Sequence, residues 1–170
     1  HVKSNVDDSL YLVRNLKDKQ QAADRLAIIN AKLVKMVDIV QDEKSKEDSH
    51  CTRSIEILKE RFRKDRISES PTDSEYTSYS VNKGEKIFFC IRSKDENMEL
   101  VDENTLTFVA LHELAHVMTR SVGHTKEFWN NFKFLLVQAK KINIYNPVDY
   151  SKEPNDYCGM TINHNPYYDK

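Results

Sequence analysis

Glycine and proline are scarce in this chain, at three Gly and four Pro in 170 residues. So few residues of either kind leave little room for tight turns, which points to a mostly helical protein. Cysteine is equally sparse. Cys51, Cys90 and Cys158 are the three present, so one stays unpaired whatever the other two do. There is no C-x-x-C spacing and no N-x-S/T acceptor, and the pattern favours a reduced, intracellular compartment, cytoplasmic or nuclear. No apolar run approaches the ~20 residues needed to cross a bilayer. The chain opens on His1 rather than Met, so a removed signal or anchor segment upstream stays open. An excess of charge of one sign is also missing. The formal net charge is −1, against the basic surplus of a dedicated nucleic-acid binder. Lys59, Arg61, Arg63, Lys64 and Arg66 make a local basic run that reads as a solvated helix face.

What is present describes a folded domain. Hydrophobic residues make up 39% and charged residues 31% of the chain, and the length suits one domain with a real core. Residues from about Gln20 to Gln41 carry Ala23, Leu26, Ala27, Leu33, Val34, Val37 and Val40 at spacings of three and four, predicting an amphipathic helix with Asp18 as its cap. Asp42 to Asp48 is a charged connector. A second helix follows from about Thr52 to Lys64, with Ile55, Leu58 and Phe62 on one face. Both helices read as scaffold. Ser68 to Ser74 has loop composition. Two strand-like runs come next, Tyr76 to Val81 and Lys86 to Arg92, with Gly84 supplying the turn between them. Asp102 is placed to cap a helix from Glu103 to about Arg120 that Gly123 ends as a left-handed C-cap. Thr125 caps another helix, roughly Lys126 to Ile142, with Phe128, Phe132, Leu135, Leu136 and Ala139 on its apolar face. Tyr145 to Lys170 is irregular, with a short strand near Met160 to Ile162. The chain therefore divides into an N-terminal helical scaffold (1–66), a catalytic core (76–142) and an irregular C-terminal segment (145–170), all within one domain, 1–170.

The chemistry is concentrated in His112-Glu113-Leu114-Ala115-His116. Two His four apart in a helix project from one face about one turn apart, within reach of one tetrahedral zinc. Glu113 follows the first His, and its carboxylate is placed to accept a proton from zinc-bound water. The surrounding residues Phe108, Val109, Leu111, Leu114 and Ala115 are apolar, and three ionisable groups in such a stretch need a reason, because unpaired burial costs several kcal/mol. A metal is a sufficient one. A catalytic zinc takes a third protein ligand and keeps an open position. His124, eight residues after His116 and just past Gly123, is the leading candidate. A capping or packing His is its alternative, and Glu127, Asp149, Glu153, Asp156 and His164 are rivals for the ligand role. His1 and His50 read as solvated.

Together with Gly123-His124 and Glu127-Phe128-Trp129, the motif resembles the zincin metallopeptidases of the WLM and SprT-like group. The resemblance is carried over about Ile87 to Leu136. Tyr11 to Leu16, Tyr76 to Ile87 and Tyr157-Cys158-Gly159-Met160 also resemble WLM-type proteins of large DNA viruses. It implies an α+β, zincin-like (minigluzincin-type) domain, mostly helical, with a small β-sheet beside the active-site helix. It further implies Zn2+ held by His112, His116 and His124, with peptidase activity on proteins. In cellular relatives the targets are proteins crosslinked to DNA or marked with SUMO, so nucleic acid enters only indirectly. The gap from His116 to Gly123-His124 is longer than in most WLM members and shorter than in most SprT-like ones, and no ubiquitin-, SUMO- or DNA-binding appendage is evident.

Two functions follow. In the first, Glu113 is the general base of a zinc endopeptidase that cleaves protein or peptide substrates. The strand Lys86 to Arg92 then pairs with substrate as an edge strand, Tyr150 or Tyr157 stabilises the oxyanion, and Met160 either floors the metal or packs in the core. In the second, the chain is a catalytically silent zinc-binding or protein-interaction module, with Cys158 as a fourth, structural ligand or as a latency plug.

Overall fold

The computed structural model describes residues 1–43, 49–64, 66–71, 77–93 and 97–169. A short hairpin, β1 (Val2–Lys3) with β2 (Leu10–Tyr11), precedes α1 (Lys19–Glu43) and α2 (Ser49–Arg61). Strands β3 (Ile67–Glu69), β4 (Ser78–Val81) and β5 (Lys86–Phe89) follow, then α3 (Glu103–Met118) and α4 (Lys126–Lys141). The chain closes with the hairpin of β6 (Asn155–Tyr157) and β7 (Met160–Ile162) and one 3-10 turn, Pro166–Tyr168. The architecture is α+β, as the sequence predicts. Of the expected strand Tyr76 to Val81, Tyr76 lies outside the described residues, as does most of the connector Asp42 to Asp48.

The organising element is α3. Its residues Leu106, Phe108, Val109, Ala110, Leu111, Leu114, Ala115, Val117 and Met118 are all buried. A helix apolar on nearly every side must be surrounded, and this one packs against α1, α2, α4 and β4. Asp102 caps it as predicted, its carboxylate accepting from the Thr105 amide at 2.9 Å. Its end is corrected: the cap is Thr119 in an extended conformation, and Gly123 lies further along with φ +86°. Thr119 is fully buried, and its hydroxyl donates to the Ala115 carbonyl at 2.6 Å while accepting from Asn131 on α4 at 2.9 Å. That satisfied polar tie stops the helix before any glycine is needed.

The three-stranded sheet runs β3-β5-β4, with β3 parallel and β4 antiparallel to β5. Two expectations change here. Ile67 to Glu69 is a buried strand rather than the start of a loop, and β5 is central, so β3 and β4 are the edges. The loop reading fails because the polar atoms of β3 are satisfied at long range. Glu69 pairs with Arg92 (Nε to Oε2 2.7 Å) and accepts from the Arg14 amide at 2.7 Å, although Glu69 and Arg92 are both buried. Arg92 also pairs with Asp18, so that carboxylate is engaged across the fold and does not serve as a local cap. Of the three cysteines, Cys90 and Cys158 are paired, against the reduced state that the cysteine pattern favoured. They form a disulfide across 68 residues of sequence, which fastens the β6–β7 hairpin to the end of β5. Among the described residues no helix is long and apolar enough to cross a membrane.

Between β4 and β5, Asn82 and Lys83 take left-handed conformations (φ 49° and 50°), as a turn matching strand twist requires. Gly84 follows at φ +112°, where an added Cβ would lie 2.9 Å from Val117 Cγ1 of α3 and 3.0 Å from the Arg61 carbonyl. The hairpin therefore sits directly on the helix that carries the motif. Gly84→Ala is expected to destabilise the protein by about 1–3 kcal/mol, since overpacking and a disfavoured φ coincide. An unchanged midpoint in urea unfolding would show that this contact is loose.

Candidate metal centre

His112 and His116 lie on one side of α3 with ring centroids 4.8 Å apart. The chain then leaves the helix, turns at Gly123, and brings His124 back to them. The ring centroids of His124 are 5.2 Å from His112 and 5.1 Å from His116. One nitrogen from each of the three His falls within 4.8 Å of the other two. The Nε2 atoms of His112 and His124 are 3.2 Å apart. Two nitrogens on one tetrahedral zinc, each at about 2.0–2.1 Å, sit roughly 3.3–3.4 Å apart. The donor set and its spacing therefore fit the metal. The aromatic wall behind the triad comes from α4. Thr125 caps that helix as expected, accepting from the Phe128 amide, and this turns Phe128 against His116 with centroids 4.2 Å apart and Trp129 against His124 at 5.5 Å.

Burial favours the neutral form of His116 and His124. His116 is pushed down to about 3, first by burial and then by the neighbouring His112, His124 and Lys83. His124 is lowered too, by desolvation and then by His112. Neutral imidazole is the form that ligates metal. His112 Nδ1 lies 3.2 Å from Glu113 Oε1. Assigning the ring proton to Nδ1, where a carboxylate accepts it, leaves the Nε2 lone pair facing the centre of the triad. Glu113 is itself buried on α3 and borders the same cavity.

That cavity has a volume of about 780 Å³. The edge strand β4 lines one side through Ser78, Tyr79 and Ser80, and Phe132, Trp129 and Ile162 line another. Other expected participants fall elsewhere. Tyr150 is buried against Phe108, centroids 4.9 Å apart, and is not among the residues lining the cavity. Tyr157 does line it, but its hydroxyl donates to the Cys90 carbonyl at 2.6 Å and lies 2.5 Å from Ser78 Oγ. Burial raises its pKa well above the usual tyrosine range. Met160 is neither core nor floor: it is half exposed at the cavity rim, its sulfur 3.6 Å from the Thr77 hydroxyl. Cys158, bound in the disulfide, is neither fourth ligand nor thiol plug. None of the rival ligands belongs to the His cluster and most have another partner, although His164 also lines the cavity. Glu127 accepts from Ser121, Asp149 from Ser151 and Asp156 from Thr161, while His164 pairs with Asp169. Glu153 is exposed and is no part of the His cluster. His1 is exposed as expected, and the His50 side chain lies outside the described residues.

Comparison with known proteins shows the family. Residues 50–166 match the WLM domain. The chain belongs to the WLM family. That family is one of zincin-like, zinc-associated metalloproteases. A protein of Acanthamoeba polyphaga mimivirus, R325, is 36% identical over 162 residues, covering 95% of this chain and 81% of that one. Protein 136R of Invertebrate iridescent virus 6 is 42% identical over 69 residues, which is 40% of this chain and 38% of the viral protein. Among solved structures, Wss1 from Saccharomyces cerevisiae superposes with a TM-score of 0.54 at 19% identity, covering 78% of this chain and 88% of Wss1. The WLM chain described here thus shares the Wss1 fold.

Sequence reasoning missed Lys83. It lines the cavity, and its ammonium donates to the Thr119 and Ser121 carbonyls at 2.6 and 2.7 Å. Burial, and then Arg61, lower its pKa, while Glu127 acts to raise it. A lysine in a hairpin turn carries no local signal of such a reach.

His124→Ala is expected to weaken zinc binding beyond the ~10–100-fold typical of losing an outer-shell partner. A capping role alone predicts full zinc occupancy and about 1 kcal/mol of lost stability. Chelator competition on the two proteins separates the outcomes.

Proposed function

We propose that this WLM domain is a zinc-dependent metallopeptidase that hydrolyses peptide bonds in protein substrates, with His112, His116 and His124 as ligands and Glu113 as general base. The observation that carries this reading is the convergence of three imidazoles beside a buried carboxylate, in a cavity bordered by the edge strand β4. Zinc, when bound, supplies a Lewis acid that polarises the scissile carbonyl and acidifies water toward neutral pH.

The remaining steps belong to the chain's own residues. The outer edge of β4 offers backbone groups that pair with an extended peptide and lay it along the cavity. Glu113 takes a proton from the attacking water and passes it to the leaving amine. Its Oε1 is engaged by His112 Nδ1, so the second carboxylate oxygen is the one free for transfer. Phe128 and Trp129 shield one flank of the triad from water, which strengthens electrostatic interactions inside the site. The alternative, a structural zinc in a silent module, calls for a fourth protein ligand. Among the described residues the His cluster holds three members, and Cys158 is committed elsewhere. The whole chain, 1–170, acts in this reading as one catalytic domain.

Glu113→Gln tests it. The amide keeps the shape and cannot take the proton, so zinc and fold are retained while cleavage of an unstructured protein falls by about 10²–10⁴-fold. Undiminished proteolysis removes Glu113 as the base.

A further inference from the structure

We propose that Lys83, in the β4–β5 turn, is a positioning residue for the metal centre: its ammonium clamps the loop after α3 so that His124 is held opposite His112 and His116. The proposal rests on the metal-site reading above and adds to it a residue outside the motif. His124 belongs to no helix or strand. It follows an exposed tip in which Val122 is 85% exposed and an added Cβ on Gly123 would meet nothing within 4 Å. A tip without neighbours cannot fix the ligand after it, so its place depends on the anchors to either side.

Those anchors are unequal. On the far side, Thr125 begins α4 and the Phe128 ring lies 4.9 Å from His124. On the near side, the Thr119 side chain is tied to α3 and α4. Beyond Thr119, Ser121 is gripped from two directions. Its amide and hydroxyl donate to Glu127 Oε1 at 3.1 and 3.0 Å, and its carbonyl accepts from Lys83 Nζ at 2.7 Å. The same ammonium holds the Thr119 carbonyl at 2.6 Å, while Arg61 reaches it at a longer 3.4 Å. One charged group therefore spans the two carbonyls that bracket Arg120. Hydrogen bonds from a cation to buried or half-buried carbonyls are the strong kind.

Docking the hairpin on α3 does not require this lysine, because Gly84 already packs against Val117 and the Arg61 carbonyl. Lys83 also stands at a left-handed position, φ 50°, where turns of this type favour glycine. A long cationic side chain kept at such a position is explained by what its end holds. Outer-shell groups that orient metal ligands change affinity by about 10–100-fold when removed.

Lys83→Met keeps the stem and deletes the donors. We expect its zinc affinity, read by chelator competition, to fall by about 10–100-fold, with an altered visible spectrum of the Co2+-substituted protein. Amide exchange at residues 120–124 of the metal-free protein should also be faster. Lys83→Arg, which can reach both carbonyls, is expected to restore affinity and spectrum. A purely packing role would lower the melting temperature yet leave zinc affinity and the Co2+ spectrum of the folded protein unchanged, and that result overturns the clamp alone. Failure of the unaltered protein to bind zinc overturns the metal reading and the clamp with it. If Lys83→Met does not fold, Lys83→Gln takes its place in the same comparison.

Discussion

Three imidazoles converging on one point are a donor set suited to a cation. The 3.2 Å between the Nε2 atoms of His112 and His124 is closed by a ring N–H or by a metal. Charging the rings is disfavoured, since burial, and then neighbouring imidazoles, push His116 and His124 below the usual histidine range. Much of the rest of the fold can be understood as holding that convergence in place. The α3 helix supplies two rings at fixed separation, α4 supplies an aromatic wall, and the loop between the two helices supplies the third ring.

A rigid frame is what makes such a site useful, because groups that touch a metal must be held to a fraction of an ångström. The frame is assembled from distant parts of the chain. Lys32 of α1 pairs with Glu103 at 2.9 Å and donates to the Thr107 hydroxyl at 2.9 Å, fixing the first turns of α3. The Arg92, Glu69 and Asp18 cluster joins the sheet to the start of α1. The Cys90–Cys158 disulfide fastens the hairpin that forms one wall of the cavity. Each tie is made by residues outside the triad, and β4 borders the cavity.

The helices and the motif were legible in the sequence because their signals are local. Periodic apolar residues marked α1, α2 and α4, an apolar run marked α3, and the caps Asp102 and Thr125 stood where the structure has them. His124 was legible from its place between a glycine and a cap. What failed was long-range. Ile67 to Glu69 is strand because Glu69 meets Arg92 from another part of the chain, and nothing near Ser68 announces that. β5 looked like an edge because sequence order does not reveal that β3 adds on its far side. The helix stop moved to Thr119 because Asn131 of α4 satisfies its hydroxyl. Cys90 and Cys158 could not be paired from spacing, and Lys83 gave no local sign of its role.

The central claim is that His112, His116 and His124 together hold one zinc and leave a position open. X-ray absorption at the zinc edge of the purified protein tests it most directly. The account predicts about one zinc per chain, with three imidazole nitrogens and one further light atom in a four-coordinate shell. A sulfur ligand, a shell with only two imidazoles, or a protein that takes up no zinc would contradict it.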